Sequence, residues 1–472
     1  MTPRVALERT RSHLDDRLFA EAPAGPPITV RHALIWAMIA VAATTIQLLR
    51  MWSSLPLESL WAEDGGTWLA GALAQDPLDA LTTTYNGYLQ TLPRLVAEPV
   101  AALPVEWYPA AMAIAAAAIV TGCAFVVWRA SAAQIENAYL RGALAAMVIL
   151  LAVVGTETLA NVTNSIWFLL FACFWTLLWR PASLSTAIGA GLLVFLVAVT
   201  NVGVAFLLPL WLLRLVAIRD RRDLVVVVAF AIGLAVQLGF SWNEIGQRGL
   251  AGDDATPGFP AGVPLSIEPY WDWDLVPAFA QRIVGGAVAG QAINGYLWEQ
   301  LGAAFVIALG AGALTLVGVA LADRRTRILV PLAVLIALAL FLVSGYHRWG
   351  AGGFFFLWPE GESNSNAAHY MVTPTLLVLS ALFVWLDAGI GRGASAGSTG
   401  ALQAGVAVFV VGSALASFSV GETTTRGSLP WSEALAAGRA ECRDAGVTEV
   451  RIMLNKPPFD GFPLPISCGE LE

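Results

Sequence analysis

Two adjacent carboxylates, Glu63 and Asp64, are the residues best suited to chemistry, in the sequence LWAEDGG at 60–66. Neighbouring carboxylates repel each other, so one of them can have a raised pKa and serve as a general base. The pair is also suited to bind a divalent cation such as Mg²⁺ or Mn²⁺. A simpler interpretation is an acidic pair at the start of a helix over 67–74, where negative charge favours the helix dipole. Both interpretations stay open.

A polar stretch at 76–98 follows the pair and contains Tyr85 and Arg94. It is too polar to span a membrane, but its apolar residues recur at helical spacings, which favours a helix lying in the membrane interface. Arg94 suits a phosphate, which a guanidinium binds with two parallel hydrogen bonds. It equally suits snorkelling to the interface or pairing with Glu98 one turn later. We therefore treat Tyr85 and Arg94 as candidate substrate-binding residues.

Other candidates come from separate parts of the chain. Asn161 opens a predicted helix together with Thr163 and Asn164, where amides bind substrates or simply cap the helix. Capping is the favoured interpretation of Asn164. Arg282 follows the aromatic and acidic sequence YWDWD at 270–274, which is typical of a sugar site and, more commonly, of an interfacial helix.

Cationic residues also mark the two ends of one aromatic segment. His347 and Arg348 close one predicted helix, and His369 and Tyr370 open the next. Cations at both ends of a loop near lipid headgroups suit a phosphate or pyrophosphate. The alternative is that they only anchor the helices in the interface.

The amino-acid composition indicates the kind of fold that carries these candidate residues. Of 472 residues, 57% are hydrophobic and only 13% are charged, too few charges to cover a soluble domain of this size. Apolar runs of roughly 17–22 residues recur, each long enough to cross a bilayer. We predict an all-α, polytopic transmembrane bundle of about eleven helices, with interfacial helices in the first external loop. The predicted spans are 33–49, 108–128, 140–155, 165–178, 184–200, 202–216, 224–242, 301–321, 328–344, 371–386 and 401–420.

Arginines in the short connections predict the orientation. Five connections that carry them fall on the side of the N-terminus, and positive charge favours the cytoplasm. We predict a cytoplasmic tail at 1–30, a bundle at 31–420 and an extracytoplasmic tail at 421–472, in a bacterial inner membrane. The tail favours a helix near Trp431 and a strand near 447–454, packed on the outer face of the bundle. A disulfide between Cys442 and Cys468 suits an oxidising compartment, but spacing alone does not decide it.

Several motifs of other protein classes are absent from the sequence. It has no Walker loop, no HExxH, no cysteine and histidine cluster with zinc spacing, and no GxSxG elbow. Few charges fall in the middle of the predicted spans, which argues against a proton-coupled transporter. These absences disfavour ATP hydrolysis, zinc chemistry and α/β-hydrolase chemistry.

The arrangement resembles the GT-C superfamily of integral membrane glycosyltransferases. The resemblance lies in the many helices, the long first external loop with WAEDG at 61–65, its interfacial character, and the aromatic loop that ends at His369 and Tyr370. It implies a hexosyl- or pentosyltransferase with a polyprenyl-phosphate sugar as donor. Asp64 or Glu63 would then be the base, and the pair would also contact a divalent metal. Arg348, followed by Arg94 and Arg282, would stabilise the departing phosphate.

Two other functions remain in competition with this one. A transporter or flippase of lipid-linked saccharides would have a polar cavity continuous through the bundle and two similar halves. A non-catalytic membrane protein would leave the Glu63–Asp64 pair facing lipid headgroups. As partners of the chain we expect membrane lipids and a lipid-linked sugar, and no nucleic acid.

Overall fold

The computed structural model describes most of the chain, and it is mostly helical. Side chains are not described at 243–248, 291–292, 347–348, 368 and 389–390. The residues described are 14, 18–21, 29–154, 157–248, 275–323, 326–348, 368–390, parts of 401–418, 429–444, 446–454 and 462–472.

The described helices are numbered in chain order, and two π-helical segments, Asp64–Leu69 and Phe279–Gly285, interrupt the series. Two strands, β1 (Glu449–Met453) and β2 (Pro463–Ser467), pair antiparallel near the C-terminus. The helices are α1 (Val30–Arg50), α2 (Ala70–Ala74), α3 (Pro77–Thr82), α4 (Thr91–Ala101), α5 (Tyr108–Ala130), α6 (Ala138–Leu150), α7 (Val162–Leu178), α8 (Leu184–Ala198), α9 (Leu208–Val216), α10 (Arg221–Arg248), α11 (Leu275–Ala278), α12 (Gly286–Leu301), α13 (Ala303–Ala322), α14 (Leu329–Arg348), α15 (Ala368–Ile390), α16 (Trp431–Glu441) and α17 (Cys468–Leu471).

Six helical stretches in the described part of the chain are long and apolar enough to cross a membrane: Val30–Arg50, Val105–Ala133, Arg221–Trp242, Ala303–Ala322, Leu329–Tyr346 and His369–Ala388. Five further apolar helical stretches have 10–17 residues. These features indicate a helical, multi-pass membrane protein. The expected count of about eleven spans stays a prediction, because the shorter helices do not reach the length of a full crossing.

One end of the bundle, here called the N-terminal end, holds the segment around Phe19. The side-chain amide of Gln134 donates to the Leu18 carbonyl at 2.7 Å, and the Arg214 guanidinium lies over the Phe19 ring at 5.9 Å. Asp387 accepts the backbone N–H groups of Glu136 and Asn137 at 3.1 and 2.8 Å. The connection between α5 and α6 and the end of α15 therefore meet the N-terminal segment.

A buried ionic network brings two more connections to the N-terminal end. Asp223 lies 3.1 Å from Arg214 and 3.6 Å from Arg180, and all three side chains are buried. Arg180 also donates to the Ala217 carbonyl at 2.6 Å. Three of the five arginine-bearing connections thus share an end with the N-terminal segment, as predicted. Arg324, Arg325 and Arg392, from the other two, lie outside the described residues.

Arg50 organises the opposite end, here called the loop end. Its guanidinium is 1% exposed and donates to the carbonyls of Ile149, Leu151, Ser417 and Phe418 at 2.8–3.3 Å. Carbonyls at the C-terminus of a helix have no intrahelical partners, and the dipole there favours a cation. This explains why α6 ends at Leu150 and not at 155, as the apolar pattern predicted. Sequence analysis did not identify Arg50.

We expect Arg50→Met to lower the free energy of unfolding by about 3 kcal/mol, because buried carbonyls lose a charged donor. Thermal unfolding of the purified protein in detergent, followed by circular dichroism, measures the effect. Arg31→Met, at the exposed start of the same helix, is the matched control and should change stability little. Equal stability of the two variants would contradict the role given to Arg50.

The C-terminal residues form a small unit of α16, β1, β2 and α17. Cys442, just after α16, and Cys468, at the start of α17, form a disulfide with a Cα–Cα distance of 5.6 Å. The predicted helix and strand are confirmed, and the second strand, β2, was not predicted.

This unit shares a hydrophobic core with the first loop at the loop end. Trp431 donates its backbone N–H to the Glu58 carbonyl and its indole N–H to the Val105 carbonyl, both at 2.8 Å. Leu435, Ile452 and other apolar side chains of the unit pack in the same cluster as those of the first loop. The tail therefore packs against the segment that carries the acidic pair.

Candidate functional site

Asp64 begins the first π-helix and holds the N-terminus of α7. Its carboxylate accepts the backbone N–H groups of Val162 and Thr163 at 2.8 and 2.9 Å, and the Thr163 hydroxyl at 2.6 Å. The side chain is 1% exposed. An aspartate at this place satisfies free N–H groups and complements the positive end of the helix dipole. The simpler interpretation was that the acidic pair stabilises the start of a helix at 67–74. Asp64 does stabilise the start of a helix, but that helix is α7, which lies far away in the sequence.

Asn161 is the N-cap residue of α7. Its side-chain oxygen accepts the Asn164 N–H at 2.8 Å. The side-chain amides of Asn161 and Asn164 both donate to the Glu157 carbonyl at 2.7 Å. The cap is therefore Asn161 and not Asn164, and both amides fix the turn that carries Glu157.

Glu63 is the half-buried member of the acidic pair. Burial raises the pKa of its carboxyl to about 7. A backbone hydrogen bond opposes the shift, the negative charges of Asp64 and Glu157 add to it, and a hydrogen bond with Trp61 opposes it. A carboxyl group that titrates near pH 7 is well matched to act as a general base at neutral pH.

Glu157 is the functional candidate that sequence analysis missed. One oxygen of its carboxylate lies 2.5 Å from His369 Nδ1. It is close enough to Arg282 to attract that guanidinium, and close enough to Glu63 to repel it. The structure therefore brings together Glu63, Glu157, Arg282 and His369, three of them predicted, and we call these four residues the charged cluster. No local pattern around 157 signals this role.

Arg282 reaches the charged cluster from the second π-helix, Phe279–Gly285, and is 5% exposed. π-Helical turns are rare and frequently occur at functional sites. Glu63 directly precedes the first π-helix, so two members of the cluster come from π-helical surroundings.

Aromatic rings flank the cluster on the side of α15. The rings of His369 and Tyr370 are 4.1 Å apart, and the ring of Trp167 lies 5.9 Å from His369 and 5.1 Å from Tyr370. Trp167 belongs to α7, the helix that Asp64 caps. The predicted placement of His369 and Tyr370 at a helix start is confirmed, and Trp167 joins them as a ring on which a sugar face can stack.

Arg94 and Tyr85 form a second group around Trp68. The Arg94 guanidinium is 5.0 Å from the Trp68 ring, and the Tyr85 ring is 5.1 Å from it. The Trp68 indole donates to the Thr163 hydroxyl at 2.8 Å, which joins this group to Asp64. Burial lowers the pKa of Arg94 to about 10, opposed by the charge of Glu98, so Arg94 stays cationic at neutral pH.

Two predicted residues cannot be placed in the site. α14 ends at Arg348, so His347 and Arg348 do close a helix, but their side chains lie outside the described residues. The aromatic and acidic sequence at 270–274 also lies outside them.

The C-terminal unit lies directly on the glycines that follow the acidic pair. A Cβ atom at Gly65 would overlap Leu454 Cδ1, and one at Gly66 would lie 2.8–3.0 Å from Cβ, Cα and C of Phe462. Another segment can approach a backbone this closely only where the residue has no side chain. The two glycines therefore allow the tail to pack onto the acidic turn.

We expect Gly66→Ala to destabilise the packing of the C-terminal unit by about 1–3 kcal/mol, because the backbone at Phe462 must move. Limited proteolysis of the purified protein should then cut the tail faster than in wild type. Gly469→Ala, where the new methyl group meets open space, is the control. Equal cleavage rates of the two variants would contradict the close packing.

A divalent cation does not fit Asp64 well. Both of its oxygens face N–H or O–H donors, whose positive ends would repel a metal ion. Within the described ranges, no group of three or more histidine, cysteine, aspartate or glutamate side chains is arranged to hold a metal. The cation predicted at Glu63 and Asp64 stays a prediction, and we assign no chemical step to it.

Comparison with known proteins gives no functional assignment for the chain. No protein-family model matches the chain, and no curated protein matches it.

Proposed function

We propose that the chain is an integral membrane glycosyltransferase that moves a sugar from a polyprenyl-phosphate donor to a hydroxyl group of a cell-envelope acceptor. The observation that carries the proposal is the charged cluster. Glu63, a carboxyl group with a pKa of about 7, lies near Glu157, and Glu157 in turn lies beside Arg282 and His369 at one end of an apolar helix bundle. Such a set supplies both a proton acceptor and charge for a phosphate leaving group.

Glu63 is the base in this proposal. Its carboxylate takes the proton of the acceptor hydroxyl, whose oxygen bonds to the anomeric carbon of the sugar. The bond from that carbon to the phosphate oxygen breaks, and polyprenyl phosphate leaves with the bonding electrons. Asp64 is a positioning residue, since its oxygens are engaged by Val162 and Thr163.

Arg282 and His369 stabilise the leaving phosphate. Glu157 lies beside both and holds them in place before substrate binds. Arg94 and Tyr85, which contact Trp68, bind substrate and take no part in proton transfer. Trp167 and Tyr370 offer ring faces to the sugar, a contact that suits the apolar face of a pyranose or furanose.

The reaction takes place on the extracytoplasmic face, with the N-terminus in the cytoplasm. Two observations support this orientation. The Cys442–Cys468 disulfide lies at the loop end, together with the charged cluster, and disulfides persist in oxidising compartments. The N-terminal end carries Arg180, Arg214 and neighbouring arginines, as cytoplasmic ends do.

A panel of polyprenyl-phosphate donors with labelled hexoses or pentoses tests the proposal. The purified protein should release polyprenyl phosphate from one donor class when extracts of cell-envelope saccharides are added. The transporter alternative predicts the reverse: lipid-linked saccharide crosses proteoliposome membranes and the donor bond stays intact.

A further inference from the structure

Two arginines at the N-terminal end each lie on a tryptophan ring. Arg129, in the last turn of α5, has its Cζ atom 5.5 Å from the ring centre of Trp179. Arg141, in the first turns of α6, has its Cζ atom 4.7 Å from the ring centre of Trp128. We call these four residues the paired-arginine patch. It lies at the end of the bundle opposite the charged cluster and takes no part in the proposed reaction.

The patch carries two neighbouring positive charges. The two guanidiniums are close enough to repel each other. The Asp387 carboxylate attracts Arg141 more strongly than Arg129 repels it, and it also accepts two backbone N–H groups. No ion pair among the described residues involves Arg129. Arg129 is exposed, and a neighbouring pair of guanidiniums favours an anion as ligand.

The rings beneath the arginines are fixed by the fold. Trp128 packs against Trp36 of α1, with ring centres 6.1 Å apart. The carbonyl of Trp179 accepts a hydrogen bond from the buried Arg214 at 2.7 Å. The patch is therefore held by α1, α5 and the end of α7.

Two N–H groups of the patch are enclosed by the fold. The Trp179 indole N–H and the Arg141 Nε–H are buried and have no partner within the described part of the chain. Arg141 uses another nitrogen to donate to the carbonyls of Ile135 and Glu136, at 3.0 and 3.3 Å. These bonds fix the Arg141 guanidinium.

An apolar helix face begins beside the patch. Only 6% of the apolar stretch of α1 is buried in the protein. Leu34, Ile35 and Met38, around the Trp36 that contacts Trp128, are 60%, 37% and 63% exposed. A cationic, aromatic patch at the end of such a face matches a molecule with an anionic head and long apolar chains.

We propose that the paired-arginine patch binds the phosphate of an anionic phospholipid, with the acyl chains lying along α1. Both guanidiniums contact the phosphate, and the indoles lie at the headgroup level, where tryptophan is favoured. A free phosphate shares the head chemistry but lacks the chains, so the two ligands are distinguishable.

Native mass spectrometry of the full-length protein in detergent tests the proposal, with phosphatidylglycerol, phosphatidylcholine and inorganic phosphate as separate ligands. The double variant Arg129→Gln/Arg141→Gln should bind phosphatidylglycerol about 30-fold more weakly than wild type, at about a fivefold loss per arginine. Arg221→Gln/Arg222→Gln removes the same charge from the same end and should bind like wild type. Phosphatidylcholine should bind weakly to every form.

Two results would overturn the proposal. One is equal affinity of the double variant and its charge-matched control for phosphatidylglycerol. The other is displacement of the lipid by millimolar inorganic phosphate, which would make the patch a site for free anions. If the double variant does not fold, Arg129→Gln alone is informative, because Arg129 is exposed and its loss should still weaken binding about fivefold.

Discussion

Glu63→Gln is expected to lower the rate of sugar transfer by about a thousandfold, because a positioned general base typically contributes a factor of 10²–10⁴. Glutamine keeps the shape of the side chain and cannot accept the acceptor proton. Donor binding should persist, since Arg282, His369 and Glu157 are unchanged. The loss should therefore appear in kcat and much less in KM.

The pH dependence gives this prediction a second readout. Glu63 acts as a base only when deprotonated, so the wild-type rate should rise with pH through an apparent pKa near 7. The effect of rising pH on the stability of the fold has the opposite sign to its effect on the rate. The folded-state pKa lies above the ordinary value of 4.5, so the folded protein binds more protons between these values, and Glu63 destabilises the fold as pH rises through them. At pH 8, Glu63→Gln should be more stable than wild type.

Glu58→Gln is the matched control, since Glu58 is an exposed glutamate of the same loop. It should retain activity and the wild-type pH profile. A Glu63→Gln protein that transfers sugar at the wild-type rate would remove Glu63 from the role of base.

Asp64→Asn is expected to lower the free energy of unfolding by about 2–4 kcal/mol and to reduce transfer as well. Asparagine replaces one acceptor oxygen with an NH₂ group, which cannot accept from Val162 or Thr163. A buried N–H group then loses its partner, and the helix dipole loses its negative charge. Thermal unfolding in detergent measures the stability.

Thr163→Val separates the effect on stability from the effect on sugar transfer. It removes the hydroxyl donor to Asp64 and the acceptor for the Trp68 indole, while both backbone N–H groups remain. We expect a loss of stability smaller than that of Asp64→Asn, with activity largely kept. An Asp64→Asn protein as stable as wild type but inactive would move the role of base from Glu63 to Asp64.

The sequence predicted most elements that have a local cause. Apolar runs located most of the described helices to within about five residues, because burial in lipid or protein requires continuous apolar residues. They missed the helical stretch that runs from Leu275 to Leu301 and carries Arg282. The carboxylate pair stood out because adjacent acids before two glycines are unusual on an apolar chain. His369 and Tyr370 were correctly placed at a helix start by the change from polar to apolar sequence.

Contacts between distant residues could not be predicted in this way. Asp64 caps a helix that begins 98 residues later, and Glu157 meets His369 through the packing of α7 against α15. Arg50 follows an apolar run, where an arginine is usually only a flanking residue of a membrane-spanning helix. In the structure it binds carbonyls of two other segments. The π-helices add one residue to a turn and have no pattern of their own.

The central claim is that Glu63 takes a proton in a glycosyl transfer. The most direct test follows release of polyprenyl phosphate from labelled donor by wild type, Glu63→Gln and Glu58→Gln, side by side from pH 6 to 8. The account predicts release by wild type and Glu58→Gln that rises through pH 7, and almost none by Glu63→Gln. Equal release by all three proteins, or intact donor with saccharide moved across a vesicle membrane, would contradict it.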